Sequence, residues 1–334
     1  TMFIYGHGRI RILLLTVVVS VGFYGVKGGI WAISTGGANQ VLGPENTFMD
    51  GNTFIGLAFN MVVPLMVILA REEENVWVRR ALYVAAGLTI VATIFTYSRG
   101  AYLGLVVMLP LLFLKSRKKV IAGAILIPAV LLAPMVLPEA VFKRADQIED
   151  YQGDRSAMQR LLSWSVAYNI AKRKPLTGAG FEFESGIPAK EWREYGDEKY
   201  LPFSEGSHAA HSIYFQILGQ HGFLAFFVYI AMLISLLLSL RRTIKISYRN
   251  AEFAWAGSYA SALQVGLISY LVSGAFLSSA YFDLAWLYFA LSAVLAREVG
   301  APVPTAEGRQ STTKSSIESA DLPKRGAPTL NAQQ

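Results

Sequence analysis

A few side chains in this 334-residue chain could do chemistry: His208 and His211, Arg99 and Arg160, and Lys27. Histidine titrates near neutral pH and can take a proton from a hydroxyl group. His211 stands where a long polar stretch meets the apolar residues Ile213, Tyr214, Phe215, Ile217 and Leu218, so it is the candidate base, with His208 beside it. A guanidinium matches phosphate in a bidentate way, which suits Arg99 and Arg160 to hold an anion, and Lys27 adds charge to such a site. Each has a plainer reading. Arg99 could snorkel to lipid phosphates, Arg160 could sit on a solvated helix face, and Lys27 could be an ion-pair member or interface anchor. Three histidines, at 208, 211 and 221, invite a zinc reading, but no acidic or cysteine ligand completes a pattern, so no metal and no cofactor is expected. His221 is expected to pack and His7 to be unrelated. With no cysteine, disulfides and thiolate chemistry are excluded.

The elements that must position these groups are apolar. The chain is 53% hydrophobic and 16% charged, against roughly 25% charged in soluble domains. Apolar runs at 10–33, 54–70, 81–97, 101–114, 120–137, 222–240, 253–277 and 281–296 alternate with short charged clusters, and a helix needs about 20 such residues to cross a bilayer. The expected fold is an all-α polytopic membrane protein. Residues 1–137 carry spans one to five, 138–221 form a polar loop, 222–297 carry spans six to eight, and 298–334 form a disordered tail. If the spans alternate, the dense Lys/Arg clusters share one side, which the positive-inside rule makes cytoplasmic. Arg99, Lys27 and the 138–211 stretch then face the other side. Between 139 and 211 ten Lys/Arg stand against twelve Asp/Glu, a net negative balance suited to a translocated segment. Its aromatic residues argue for order, and 156–171 has helical periodicity that places Arg160 on a helix. The Pro-Leu-Thr-Gly-Ala-Gly turn at 175–180 should stop that helix and could offer backbone amides to a ligand.

The net charge of +7 does not signal nucleic acid, because the basic residues cap apolar runs rather than form a stripe interleaved with aromatics. Neither a Gly-rich phosphate loop nor a Gly-x-Ser-x-Gly elbow occurs. No cleavable signal peptide is expected at the start, and the chain reads as a possible fragment of a longer one.

Read in order, TYSRGAYLG at 96–104, QRLLSW at 159–164, PLTGAG at 175–180 and HSIYFQILGQHG at 211–222 resemble the O-antigen ligase and polymerase superfamily. GVKGG at 25–29 and GPE at 43–45 resemble its branch of O-glycosylation ligases found with the exosortase A system. The resemblance implies a multi-pass inner-membrane enzyme of C-type glycosyltransferase architecture with a large periplasmic loop. Such an enzyme moves a glycan from an undecaprenyl diphosphate carrier to a hydroxyl of lipid A-core oligosaccharide, without metal and with inversion. Its partners would be that donor, that acceptor and membrane lipids. By matching position, Arg99 and Arg160 would hold the diphosphate and His211 would be the base. Ser212 stands where many members have Asn, and Gln220 where an acidic residue is common. Family members commonly have more spans than the eight counted, which the resemblance places before Thr1. A polymerase and an O-linked protein glycosyltransferase would share the donor machinery. A lipid-linked glycan transporter would instead place charges in mid-span.

Overall fold

The computed structural model describes residues 4–116, 119–120, 123–124, 155–204 and 206–300. The expectations for most of the fifth run, for residues 138–154 and for the tail fall outside the described residues. The helices are α1 (His7–Ser34), α2 (Gly51–Glu72), α3 (Val76–Ile94), α4 (Arg99–Leu114), α5 (Arg155–Arg173), α6 (Ala189–Tyr195), α7 (Ile213–Ser247), α8 (Ala254–Gly274) and α9 (Asp283–Gly300). Among the described residues there is no strand, only an isolated bridge between Gly43 and Gly51.

Among the described residues four helices, α1, α2, α3 and α7, are long and apolar enough to cross a membrane, and α4 is a shorter apolar helix. The chain is thus an all-α polytopic membrane protein, as its composition implied. Some boundaries moved for local reasons. α3 begins at Val76 rather than near 81, because the Asn75 side chain caps it by accepting from the Trp77 and Val78 amides at 2.9 and 3.3 Å. The sixth run begins nine residues early, at Ile213, and Gly222 (φ 77°, ψ −171°) breaks α7 in two.

Helices α2 and α8 form the centre, with α2 packing on α1, α3, α4 and α8, and α8 also on α4 and α7. Lipid supplies little hydrophobic drive between helices, so close packing and buried hydrogen bonds hold them. On α1, Gly25 and Gly29 admit α3: a Cβ on Gly29 would stand 2.3 Å from the Leu88 carbonyl oxygen. Across the centre, Tyr288 of α9 donates to the Met61 carbonyl at 2.6 Å, Asn60 Nδ2 to Ala101 O at 2.8 Å and Ser269 Oγ to Gly104 O at 3.0 Å.

The bundle has two distinct ends. At one, Arg11 pairs with Glu73, His7 stacks on Trp255 and meets the Tyr259 hydroxyl at 3.0 Å, and Arg297 donates to the Ile4 carbonyl. This end gathers the starts of α1 and α8 and the ends of α2 and α9. The polar segment belongs to the opposite end and builds its own core. Leu162, Val166, Ala167, Ile170, Phe183, Trp192, Tyr195 and Ala210 are all buried together, with Trp192 fully enclosed. Truncating such an aromatic to Ala costs about 3–5 kcal/mol, which is how a short segment outside the bundle holds a defined shape.

Candidate functional site

The site begins with a corner before α4. Tyr97 has φ 51°, a left-handed backbone that costs a non-glycine residue on the order of 1–3 kcal/mol unless its surroundings hold it. They do. The Thr96 carbonyl accepts from Gln40 Nε2 at 2.8 Å and Asn52 Nδ2 at 3.0 Å, and the Tyr97 hydroxyl donates to Gly37 O at 2.6 Å. The Ser98 hydroxyl then caps α4 by accepting from the Ala101 amide. Arg99 is therefore the first residue of α4, half-buried, at a helix end whose amides and dipole favour anions.

Arg160 and Trp164 lie one turn apart on α5, on a shared face. The Trp164 indole donates to Ala210 O at 2.7 Å and stacks on Phe215 with centroids 4.8 Å apart, tying α5 to the strap before α7. Arg160 is half-buried there.

His211 is the second strained residue, with φ 46°. Its backbone N–H donates to Ser278 Oγ at 2.9 Å, and Ser278 donates in turn to Glu184 Oε1. The same Glu184 oxygen accepts the Ala210 N–H at 2.7 Å. One carboxylate thus fixes two successive peptide units, and the ring between them makes no hydrogen bond among the described residues. Burial, the Arg160 charge and the His208 charge, in that order, lower the His211 pKa to about 4. At neutral pH the imidazole is uncharged and able to accept a proton.

The C-terminal end of α8 joins Arg99 to this group. A Cβ on Gly100 would lie 3.5 Å from the Ser273 carbonyl, a Cβ on Gly274 would meet Ile213 at 2.9 Å, and Ser278 follows four residues later. Arg160, His208 and His211 act on one another electrostatically, and Arg99 stands at the same end. Lys27 is exposed on α1, whose chief packing partners are α2 and α3, so it lies on the outside of the bundle.

One expectation is corrected. The amides of the 175–180 turn do not face a ligand: those of Ala179 and Gly180 donate to the Gly219 and Gln220 carbonyls at 2.9 and 2.8 Å. Gly222 breaks α7 and strands those carbonyls, and the turn satisfies them. In return the Pro175 carbonyl accepts the Phe223 and Leu224 amides that open the second half of α7. His221 packs as expected, its Nε2 2.6 Å from the Tyr281 hydroxyl and its ring edge-on to Phe181. Gln220 accepts from Tyr281 at 2.7 Å, so the residue standing at an acidic position braces the loop before α9. Ser212 is buried as the α7 N-cap residue, and its carbonyl accepts from the Gln216 amide.

Sequence reasoning missed Glu184 and Ser278. Neither sits in a quoted motif. The burial and the Glu184 charge that push the Tyr281 hydroxyl up to about 12 place this carboxylate near the loop before α9 as well. Among the described residues no three His, Asp or Glu side chains converge as a metal site.

These features define a polytopic membrane protein with a neutral histidine and two guanidinium groups at one end of a helical bundle. Residues 84–230, from α3 into the second half of α7, match the family model of O-antigen ligase, which supports the resemblance to the O-antigen ligase and polymerase superfamily over that stretch. It contains Arg99, Arg160, His208 and His211. The match supports, in general terms, a membrane glycosyltransferase-like activity of the O-antigen ligase and polymerase type, a type that works with lipid-linked glycans and lipid acceptors. No curated protein matches the chain.

Proposed function

We propose that the protein transfers a glycan from undecaprenyl diphosphate to a hydroxyl of lipid A-core oligosaccharide, at the periplasmic face of the inner membrane. The observation that carries this reading is His211: an uncharged imidazole on a left-handed backbone that Ser278 holds, lying in the field of Arg160, inside the family-matched stretch. The acceptor oxygen attacks the anomeric carbon from the face opposite the diphosphate, the bond from that carbon to the diphosphate oxygen breaks, and configuration inverts. The acceptor proton passes to His211, and the electron pair leaves with the diphosphate. Arg99 and Arg160 receive the developing negative charge without proton transfer, so the reaction needs no metal. Lys27, outside the bundle, adds positive potential along the approach of the anionic donor rather than a contact.

Donor binding prepares the base. Arg160 lowers the His211 pKa, and a diphosphate seated on Arg160 would cancel much of that field. The imidazole then becomes more basic when the acceptor hydroxyl needs it. The gathering of Arg11, Arg297 and the N-terminal residues at the opposite end supports a periplasmic site by the positive-inside rule.

The test is transfer by the purified full chain from undecaprenyl diphosphate-linked glycan to lipid A-core with EDTA present. Product supports a ligase. Glycan added instead to carrier-linked chains would make it a polymerase, and glycan added to protein an O-linked protein glycosyltransferase.

A further inference from the structure

Outside this site the polar segment holds a pocket of about 670 Å³ lined by Ala189, Lys190, Arg193, Glu194, Ser204 and Gly206. The geometry points to a second binding subsite here, for an anionic saccharide, meaning a sugar that carries phosphate or carboxylate. This rests on the glycosyl-transfer reading and adds a substrate class to it.

The sequence of α6 explains the pocket. Trp192 and Tyr195 turn inward onto α5 and are buried, which leaves Lys190, Arg193 and Glu194 exposed on the other side of a two-turn helix. Lys190 and Glu194 have the spacing of an intrahelical ion pair, yet among the described residues neither Lys190 nor Arg193 makes one. Of the described residues that line the pocket, Lys190 and Arg193 are two cations beside one carboxylate, Glu194, and both are free to take an anion's oxygens. Opposite them, Ser204 Oγ is shielded from solvent and has no hydrogen-bond partner, an orphan hydroxyl beside the cations. A phosphate or carboxylate would take the Lys190 and Arg193 donors together with the Ser204 hydroxyl, and the sugar ring would occupy the remaining volume.

Position connects the pocket to the chemistry. Gly206, on its wall, is five residues before His211, so the strap between them spans at most ~17 Å when extended. An oligosaccharide bridges that distance. The anionic sugar could belong to the acceptor or to the donor glycan, and kinetics separates the two.

The first arm measures binding of glucose 6-phosphate, with glucose as the neutral control, to the full chain in nanodiscs in an Arg99→Ala/Arg160→Ala background, which removes the other anion site. Binding of the phosphate sugar alone, weakened roughly tenfold or more by Lys190→Ala/Arg193→Ala and retained by Lys190→Arg/Arg193→Lys, supports the subsite. Equal binding by both double variants overturns it. The second arm measures transfer by Lys190→Ala/Arg193→Ala with Arg99 and Arg160 intact. A raised KM for acceptor assigns the sugar to the acceptor and a raised KM for donor to the donor, while an unchanged KM for both overturns a role in the reaction. Pocket binding without any transfer by wild type would sink the glycosyl-transfer reading and leave the subsite standing.

Discussion

The backbone N–H of His211 donates to the Ser278 hydroxyl at 2.9 Å, across 67 residues of chain. Through Ser278 the strain at His211 is held by the Glu184 carboxylate, which also binds the Ala210 amide. Ser278→Ala and Glu184→Gln should therefore lower kcat about 10- to 100-fold with little change in KM, because they loosen the base without touching bound substrate. Circular dichroism should show both variants folded. Wild-type kcat in both would mean that the left-handed turn at His211 stands without them.

The pH dependence has a definite sign. The folded His211 pKa, about 4, is below the ordinary 6.5, so the fold favours the neutral ring. Its contribution to stability is complete above pH 6.5 and is lost as pH falls through about 4. In kinetics, kcat/KM should fall on the acid side near pH 4, as it reports free enzyme, and kcat should fall at a higher pH because bound diphosphate offsets Arg160. Arg160→Gln should raise the acid limb of any residual kcat/KM. Coincident limbs for kcat and kcat/KM would contradict the coupling.

Arg99→Ala and Arg160→Ala should abolish measurable transfer while leaving membrane insertion intact. The lysine variants keep the charge but lose the planar fork, and should recover part of the activity. Full activity in both alanine variants would remove the anion-holding role.

The exchange of hydrogen bonds at the α7 break predicts a structural failure. A Cβ on Gly178 (φ 58°) would stand 2.5 Å from the Gln220 carbonyl carbon, and one on Gly222 (φ 77°) 2.4 Å from the Pro175 oxygen. Gly178→Ala and Gly222→Ala should each cost on the order of 1–3 kcal/mol and lower the Tm. A Tm unchanged in either would show that the turn and the break do not brace one another.

What was legible in the sequence follows from range. Apolar runs announce helices because their length and hydropathy are local properties, and the periodicity of 156–171 announced α5 in the same way. The sixth run reads from 222, where Gly222 breaks α7, but the helical stretch 213–221 before the break reads as loop, and the Pro175 turn, some 47 residues earlier, that braces the break is too distant for local pattern to reveal. The same turn misled the reading of its own amides, which looked ready for a ligand and are spent on α7. Arg160, His208 and His211 come together because α5 and the strap share a core built on Trp192. Glu184 and Ser278 act through single contacts with distant backbone, and no spacing rule encodes those.

The most direct test of the central claim compares wild type and His211→Ala in the transfer assay from undecaprenyl diphosphate-linked glycan to lipid A-core. Product from wild type and none from a folded, donor-binding His211→Ala variant is the expected result. Equal product from both would contradict the assignment of His211 as the base.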